Sequence, residues 1–244
     1  MTDFSLNGKK ILITGASSGI GKETAILVTG HGAEVFITGR DPSRLEETFG
    51  LLAPGNHRMK TADLTVAGEM DALVGELPIL DGVVHCAGIV GPLPVKHILQ
   101  EHIDNMFAIN FMVPVNLTGK LLRAKKASDH CSILFMSTIA TRNPYFGGAL
   151  YSSSKAALEA YAKTLALELG PKGIRANYLM AGLVDTPMIV IPSDESMKSE
   201  AAERYLKRYP LGIGKPKDVA NALLFFLSDA SKWISGTSLI LGGE

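Results

Sequence analysis

Residues 14 to 21 read Thr-Gly-Ala-Ser-Ser-Gly-Ile-Gly and directly follow the strand-like run Lys10-Ile11-Leu12-Ile13. A hydrophobic strand that breaks into closely spaced glycines and then enters a helix is the arrangement that holds a dinucleotide pyrophosphate. In it, Gly15 permits the tight turn, Gly19 lets the backbone approach the phosphates, and Gly21 lets the helix pack against the strand. The helix, expected from Ile20 to Thr29, points its positive end at the anion. The stretch predicts a nucleotide site; the alternative is a structural glycine turn.

Strand and helix signals alternate along the whole chain. Apolar runs predict buried parallel strands at Lys10–Thr14, Glu34–Thr38, Gly82–Cys86, Ser132–Met136, Arg175–Met180 and Ser238–Leu241, with a weaker candidate at Arg58–Ala62. Amphipathic segments predict helices near 20–30, 42–53, 65–76, 98–124, 150–169, 195–208 and 216–228. This order implies an α/β fold with a Rossmann-type doubly wound parallel sheet in three α/β/α layers. We expect one domain over residues 1–244.

The region 182–210 interrupts this alternation. It carries Pro187, Pro192 and Pro210 and a polar stretch at 193–196. Long excursions after a sheet strand often cover ligand sites, so we expect a substrate lid here. The alternative is an ordinary surface excursion.

Composition excludes several classes of function. The 244 residues carry 24 basic and 24 acidic side chains, so no field attracts nucleic acid or an anionic membrane. No run of 18 apolar residues predicts a membrane span, and residues 1–5 lack the pattern of an export signal. We therefore expect a cytoplasmic protein. Cys86 and Cys131 lie in apolar runs without a cluster of metal ligands, so we expect two buried small side chains and no metal.

Tyr151 and Lys155 open a long helical pattern that follows the strand at Ser132–Met136. Their spacing of four residues places the phenol and the ammonium on one helical face, one turn apart. A free tyrosine titrates near pH 10, and a neighbouring ammonium lowers its pKa toward neutrality. Tyr151 can then donate a proton to a carbonyl oxygen while a nicotinamide delivers hydride to the carbon.

Further motifs occur in a fixed order around this pair. They are the turn at 14–21, Asp63 in Ala62-Asp63-Leu64-Thr65, Ala87-Gly88, Asn110, the Tyr151/Lys155 pair and Asp185-Thr186-Pro187. With these motifs, residues 6 to 244 resemble the short-chain dehydrogenase/reductase superfamily, in its single-domain branch. Length and layout are similar to those of 3-oxoacyl-(acyl-carrier-protein) reductases.

The resemblance implies a role for each matching residue. Tyr151 is then the catalytic acid and base, Lys155 lowers its pKa and holds the nicotinamide ribose, and Asn110 binds a water in a proton relay. Asp63 hydrogen-bonds the adenine and Thr186 the carboxamide. The implied cofactor-binding residues are Gly15, Ser17, Ser18, Gly19, Ile20, Gly21, Arg40, Asp63, Leu64, Ala87, Gly88, Tyr151, Lys155 and Thr186.

Two departures from the family pattern bear on the site. Where a serine is usual, 13 residues before the tyrosine, this chain has Thr138 preceded by Ser137. Thr138 offers the same donor hydroxyl and is our expected fourth catalytic residue, because neighbouring strand side chains point to opposite faces. His85-Cys86 replaces a usual pair of asparagines. We expect His85 to be a core histidine, with a proton relay as the alternative.

The end of the second strand bears on the choice of cofactor. An acidic residue there favours NAD, whereas arginine accommodates the 2′-phosphate of NADP. Gly39 stands at the acidic position and Arg40 follows it, which predicts NADP(H) and disfavours NAD. We therefore expect reduction of a small-molecule ketone or 3-oxo compound to an alcohol. The alternatives are an NAD-dependent alcohol dehydrogenase and a non-catalytic nucleotide-binding sensor.

Two surfaces are candidates for contact with partners. An acidic carrier protein would need a basic patch beside the cleft, to which Lys125, Lys126 and Lys172 are candidate contributors, although Asp129 lies nearby. The alternative is that these lysines belong to an ordinary solvated surface. The helix from Tyr151 carries Ala156, Ala157, Ala160 and Ala162, whose small side chains permit another helix to approach closely. The family usually pairs through this helix, so we expect a homotetramer or homodimer; the alternative is that the alanines pack on the protein's own sheet.

Overall fold

The computed structural model describes residues 4–188 and 209–242, and its centre is a seven-stranded parallel sheet. The strands are β1 (Lys10–Thr14), β2 (Glu34–Gly39), β3 (Arg58–Thr61), β4 (Leu80–His85), β5 (Ala127–Thr138), β6 (Arg175–Ala181) and β7 (Ser238–Leu241). Their order across the sheet is β3-β2-β1-β4-β5-β6-β7. The direction of winding therefore reverses between β1 and β4, which is where open α/β sheets bind ligands. The predicted doubly wound sheet is confirmed.

Seven α-helices in the described ranges connect the strands. They are α1 (Gly19–Gly30), α2 (Pro42–Gly50), α3 (Ala67–Glu76), α4 (Gln100–Phe107), α5 (Val113–Arg123), α6 (Ala149–Leu169) and α7 (Pro216–Leu227). The segment predicted as one helix at 98–124 is α4 and α5 joined by a π-helical turn at Ala108–Met112. The helix expected at 195–208, and most of the lid expected at 182–210, lie outside the described residues.

Two apolar clusters cover the two faces of the sheet. On β5, Ile133 and Phe135 belong to the cluster that also contains Leu117 of α5 and Leu158 of α6. Leu134 of the same strand belongs to the other cluster, with residues of α1 and α7. Because consecutive strand residues point to opposite faces, a strand covered by helices on both sides has to be apolar throughout. This requirement explains the unbroken apolar runs in the sequence.

The structure bears on the expectations for cysteines, metals and membrane spans within the described ranges. Cys131 is buried, Cys86 is only half-buried, and both are free thiols. Burial raises the pKa of each thiol to about 12. Within residues 4–188 and 209–242, no group of three or more His, Cys, Asp or Glu side chains could hold a metal ion. Within the same ranges no helix is both long and apolar enough to cross a membrane.

The buried face of β5 gives a prediction about stability. Ile133 is 2% exposed inside the core, whereas Ile79, in the loop before β4, is 59% exposed. We expect Ile133→Ala to lower the free energy of unfolding by about 2–5 kcal/mol, because it removes buried methyl groups and leaves a cavity. The matched control Ile79→Ala should change it by less than about 0.5 kcal/mol. Urea denaturation of both variants measures the difference, and equal losses would contradict the assignment of the core.

Candidate active site

A cleft of about 410 Å³ opens at the carboxyl ends of β1, β2 and β4. Twelve of the predicted cofactor-binding residues line it, namely Gly15, Ser17, Ser18, Gly19, Ile20, Gly21, Arg40, Asp63, Leu64, Ala87, Gly88 and Thr186. Further lining residues include Thr38, Asp41, Arg44, Thr65, Cys86 and Ile109, which sequence reasoning did not assign to the site. Tyr151 and Lys155 are outside this lining and belong to a neighbouring group of side chains on α6.

The glycine turn has the shape that a phosphate group requires. Gly15 has a φ of +65°, and a Cβ placed on it would lie 2.7 Å from the backbone of Ala87. A Cβ on Gly21 would lie 2.4 Å from the carbonyl oxygen of Gly15. At the start of α1, the Ser18 side chain makes no capping hydrogen bond and the first turn holds no acidic residue. The backbone N–H groups and the positive end of the helix are thus available to an anion, so these residues fit a dinucleotide pyrophosphate.

The end of β2 contributes hydroxyl and guanidinium groups to the cleft. Thr38 is fully buried, and its hydroxyl has no hydrogen-bond partner. Arg40 and Arg44 both line the cleft. The Asp41 carboxylate caps α2 by accepting the backbone N–H of Arg44 at 3.1 Å. It also forms an ion pair with the Arg44 guanidinium at 3.4 Å. The available sequence signal for Arg44 was its place in the first turn of the helix that follows Arg40.

Asp63 sits in a local hydrogen-bonded turn beside the cleft. Its Oδ1 accepts the backbone N–H of Thr65 at 2.9 Å and the Thr65 hydroxyl at 2.7 Å. Hydrogen bonds from Thr65 lower the pKa of this carboxyl; burial opposes this shift, and the charge of Arg40 adds a smaller lowering effect. Asp63 is therefore an ionised hydrogen-bond acceptor in the cleft.

Tyr151 and Lys155 lie one turn apart in the first half of α6. The Lys155 side chain is almost fully buried, and its Nζ donates to the carbonyl oxygen of Met136 at 2.9 Å. The Nζ atom is 6.0 Å from the centre of the Tyr151 ring. Burial lowers the pKa of Lys155 to about 8, although interaction with Cys86 opposes this shift. The structure thus brings the predicted phenol and ammonium together at the end of β5.

Asn110 connects this pair to the cleft. It lies in the π-helical turn, and its Oδ1 accepts the N–H of Ile89 at 2.8 Å. Its Nδ2 donates to the Ser154 hydroxyl at 3.1 Å, and that hydroxyl donates to the carbonyl oxygen of Tyr151 at 2.8 Å. A Cβ on Gly88 would lie 3.2 Å from Asn110 Oδ1 and 3.3 Å from Lys155 Nζ. Asn110 and Lys155 therefore lie directly behind Gly88, which lines the cleft.

The two adjacent hydroxyls at the end of β5 have different environments. The Ser137 hydroxyl donates to Glu159 of α6. The Thr138 hydroxyl accepts the N–H of Ala140 at 3.2 Å, at the start of a short 3₁₀ turn. A hydroxyl that accepts one hydrogen bond still has its own proton to donate. This arrangement is consistent with Thr138, and not Ser137, as the donor expected in the site.

His85 is a core side chain in the described structure. It is 2% exposed, its ring stacks on Phe135 with centroids 4.9 Å apart, and its Nε2 lies 3.0 Å from the Thr118 hydroxyl. Its Nδ1 has no hydrogen-bond partner. Burial lowers the pKa of His85 to about 3, with a smaller contribution from the charge of Lys155. The imidazole is therefore neutral at working pH, as the core interpretation requires, but its hydrogen bonding is only half satisfied.

The lysine patch considered for a carrier protein does not lie beside this chain's cleft. Lys125 and Lys126 immediately precede β5, and Lys172 precedes β6. In a parallel sheet these positions are at the amino ends of the strands, whereas the cleft is at the carboxyl ends. Lys126 also donates to the carbonyl oxygen of Leu77. Within one chain, these three lysines therefore do not form a patch beside the cleft.

The alanines of α6 divide between two environments. Ala156 and Ala160 are exposed and Ala157 is half-buried, so a partly open row of small side chains lies along the helix. Ala162 is fully buried in the core of its own chain. The expectation that Ala162 faces another helix is therefore wrong.

Known proteins resemble the chain over nearly its whole length. The family model described as enoyl-(acyl carrier protein) reductase matches residues 15–243. The 3-oxoacyl-(acyl-carrier-protein) reductase of Rickettsia felis is 30% identical over 241 residues, or 98% of each chain. Glucose 1-dehydrogenase of Gluconobacter oxydans is 31% identical and covers 97% of this chain and 91% of that relative. A solved dehydrogenase/reductase structure from Sinorhizobium meliloti 1021 has a TM-score of 0.88 at 31% identity, covering 99% of this chain and 97% of that one.

The depressed pKa of His85 predicts that the folded protein is sensitive to acid. The unfolded chain binds a proton at this residue near pH 6.5, but the folded chain does so only near pH 3. The contribution of neutral His85 to the free energy of unfolding is therefore fully present above pH 6.5, the pKa in the unfolded chain. It is lost as the pH falls from there toward 3. Between about pH 7 and pH 4.5, wild type should lose about 2–3 kcal/mol more free energy of unfolding than His85→Asn, which lacks this proton site.

Nuclear magnetic resonance gives an independent measurement of the same pKa. The imidazole Cε1–H signal of His85 should keep its neutral chemical shift between about pH 8 and pH 5, whereas free histidine in the same sample titrates near pH 6.5. A His85 signal that moves together with that of free histidine would show that the ring is accessible to protons, and it would contradict the core interpretation.

Proposed function

The chain belongs to the short-chain dehydrogenase/reductase family of oxidoreductases, and from this premise we propose that it is an NADP(H)-dependent reductase of a ketone or 3-oxo compound. The observation that carries the proposal is the junction behind Gly88. There the buried Lys155 ammonium and Asn110 lie against Gly88 of the cleft wall, with Tyr151 one helical turn away from the lysine. A non-catalytic sensor has no use for an ammonium buried beside a phenol, because burying a charge costs free energy of folding.

In the proposed reaction, Tyr151 gives its phenolic proton to the carbonyl oxygen as that oxygen becomes an alcohol. Lys155 lowers the pKa of the phenol through its charge, and the Met136 carbonyl holds the ammonium in place. The free proton of the Thr138 hydroxyl polarises the same carbonyl oxygen. Asn110 links the loop after β4 to Ser154 of α6, and in the proposal a water bound by Asn110 passes a proton to Lys155. When bound, the nicotinamide supplies the hydride.

Arg40 and Arg44 support NADP(H) as the cofactor. Both guanidinium groups border the part of the cleft at the end of β2, where a planar bidentate donor suits a 2′-phosphate. The acidic residue that follows Arg40, Asp41, is occupied by the cap of α2 and by Arg44. The unpartnered Thr38 hydroxyl provides a further polar group in the same place. The pyrophosphate would lie on the turn from Gly15 to Gly21, and Asp63 and Thr186 would contact the adenine and the carboxamide.

The proposed substrate class is a small molecule with a ketone or a 3-oxo group. The reductase of Rickettsia felis supports a 3-oxoacyl thioester, while the glucose dehydrogenase of Gluconobacter oxydans marks oxidation of an alcohol as the runner-up. Arg40 disfavours an NAD-dependent version of that runner-up. We further propose that copies of the chain pair as a homotetramer or homodimer along the exposed face of α6. The exposed Ala156 and Ala160 support this pairing.

Tyr151→Phe separates a reductase from a sensor. Removal of the phenolic proton donor should lower turnover about 100- to 10,000-fold, while the affinity for NADPH stays within about twofold. The matched control is Tyr161→Phe, the same substitution on the same helix, which should leave turnover largely unchanged. Turnover is followed by NADPH absorbance with 3-oxoacyl thioesters, and affinity by NADPH fluorescence. Full activity of Tyr151→Phe would exclude the proposed mechanism.

Arg40→Ala tests the choice of cofactor. Loss of charge-assisted hydrogen bonds to a 2′-phosphate should lower the ratio of NADPH to NADH affinity about 10- to 100-fold. Arg58→Ala removes a cation of the same kind outside the cleft and should leave the ratio unchanged. Fluorescence titrations with both cofactors, side by side, give the ratio for each variant. An unchanged ratio in Arg40→Ala would remove the support for NADP(H).

A further inference from the structure

Glu159 holds the corner of the chain that presents Thr138. It lies on α6, four residues after Lys155 and eight after Tyr151, so all three side chains are on one helical face. Its Oε1 accepts the Ser137 hydroxyl, and it accepts the Thr141 hydroxyl at 2.9 Å. One carboxylate oxygen therefore binds the chain on both sides of Thr138.

The corner itself is built from local hydrogen bonds. β5 ends at Thr138, and the next three residues form a single 3₁₀ turn. The single proton of the Thr141 hydroxyl is shared between two acceptors, Glu159 and the Thr138 carbonyl oxygen, which lies 3.0 Å from that hydroxyl. The Thr138 hydroxyl accepts the N–H of Ala140 at 3.2 Å. The orientation of Thr138 thus depends on a short turn, and the hydrogen bond from Thr141 to Glu159 attaches this turn to α6.

Glu159 also explains why two adjacent hydroxyls have different functions. Ser137 is 4% exposed, so its hydroxyl requires a partner inside the protein, and Glu159 is that partner. Ile133 and Phe135 of the same strand belong to the cluster on the α6 side, and Ser137 continues this alternation. The hydroxyl that faces α6 is therefore bound to the helix, while Thr138 keeps a free proton.

We propose that Glu159 is a positioning residue, which fixes the 137–141 corner on α6 so that the Thr138 hydroxyl reaches the reacting carbonyl. This inference rests on the proposed reductase function. Lys155 donates a hydrogen bond to the Met136 carbonyl oxygen near the same end of β5. One face of α6 therefore sets the relative positions of the Tyr151 phenol, the Lys155 ammonium and the Thr138 hydroxyl. Catalytic groups that are held on one rigid element keep the alignment that the transition state requires.

The first test measures amide hydrogen exchange in the 137–141 corner and requires no enzymatic turnover. The Ala140 amide hydrogen is bound to the Thr138 hydroxyl, so its exchange with solvent reports on the corner. In the cofactor-free protein, Glu159→Ala should speed this exchange about tenfold or more, and Glu159→Gln, which keeps an oxygen acceptor, should restore most of the protection. Glu168→Ala removes an exposed carboxylate from the same helix and should have no effect. Unchanged exchange in Glu159→Ala would overturn the proposal.

The second test asks whether Glu159 acts through Thr138. Glu159→Ala should lower kcat about 10- to 100-fold with little change in the affinity for NADPH, and Glu159→Gln should recover kcat to within about threefold. In a Thr138→Val background, Glu159→Ala should cost less than about twofold, because the group that it positions is already gone. Losses that multiply would show that Glu159 affects catalysis by another route, and they would overturn the assignment.

The two tests separate this inference from the proposed function. If wild type binds NADPH but reduces none of the carbonyl compounds, the reductase proposal fails, and the exchange of Ala140 alone decides whether Glu159 holds the corner. If wild type is active and exchange is unchanged in Glu159→Ala, the function stands and the positioning role is wrong.

Discussion

The site depends on one close backbone contact, between the turn after β1 and the turn after β4. Gly15 approaches Ala87 so closely that even a methyl group would not fit between them, and Ala87 donates its N–H to the Thr14 hydroxyl at 3.2 Å. Because the winding of the sheet reverses between these two strands, the turns diverge above the contact and leave the cleft open. The glycine turn, Gly88 and the residues behind Gly88 all take their positions from this contact.

Regular periodicity made the sheet and the cleft predictable from the sequence. Strands buried on both faces appear as apolar runs, and the glycine turn has a specific spacing, so the sheet, its winding and the position of the cleft were predicted from the sequence. Thr38, Asp41 and Arg44 of the cleft lining were not predicted. The π-helical turn was not, because one extra residue per turn barely disturbs a pattern over 25 residues. The polar start of β5, with Asp129 and His130 exposed, also differs from a buried strand and was missed.

Other features depend on contacts between distant residues, which no local pattern contains. The partner of the Ser137 hydroxyl is an example. Strand alternation separates Ser137 from Thr138 in the sequence, but it does not show that Ser137 binds Glu159, some 20 residues further on. The position of the lysines at the far edge of the sheet, by contrast, was available from the sequence, because residues that precede parallel strands share the edge opposite the cleft.

His85 shows how the site tolerates a departure from the family pattern. Lys155 already places one charge in the interior, and a second cation nearby would add both the cost of burial and repulsion. An imidazole is acceptable at this position because burial, together with the charge of Lys155, keeps it neutral while its ring stacks on Phe135. Burial, with a smaller contribution from the Lys155 ammonium, therefore favours a side chain at the end of β4 that stays neutral.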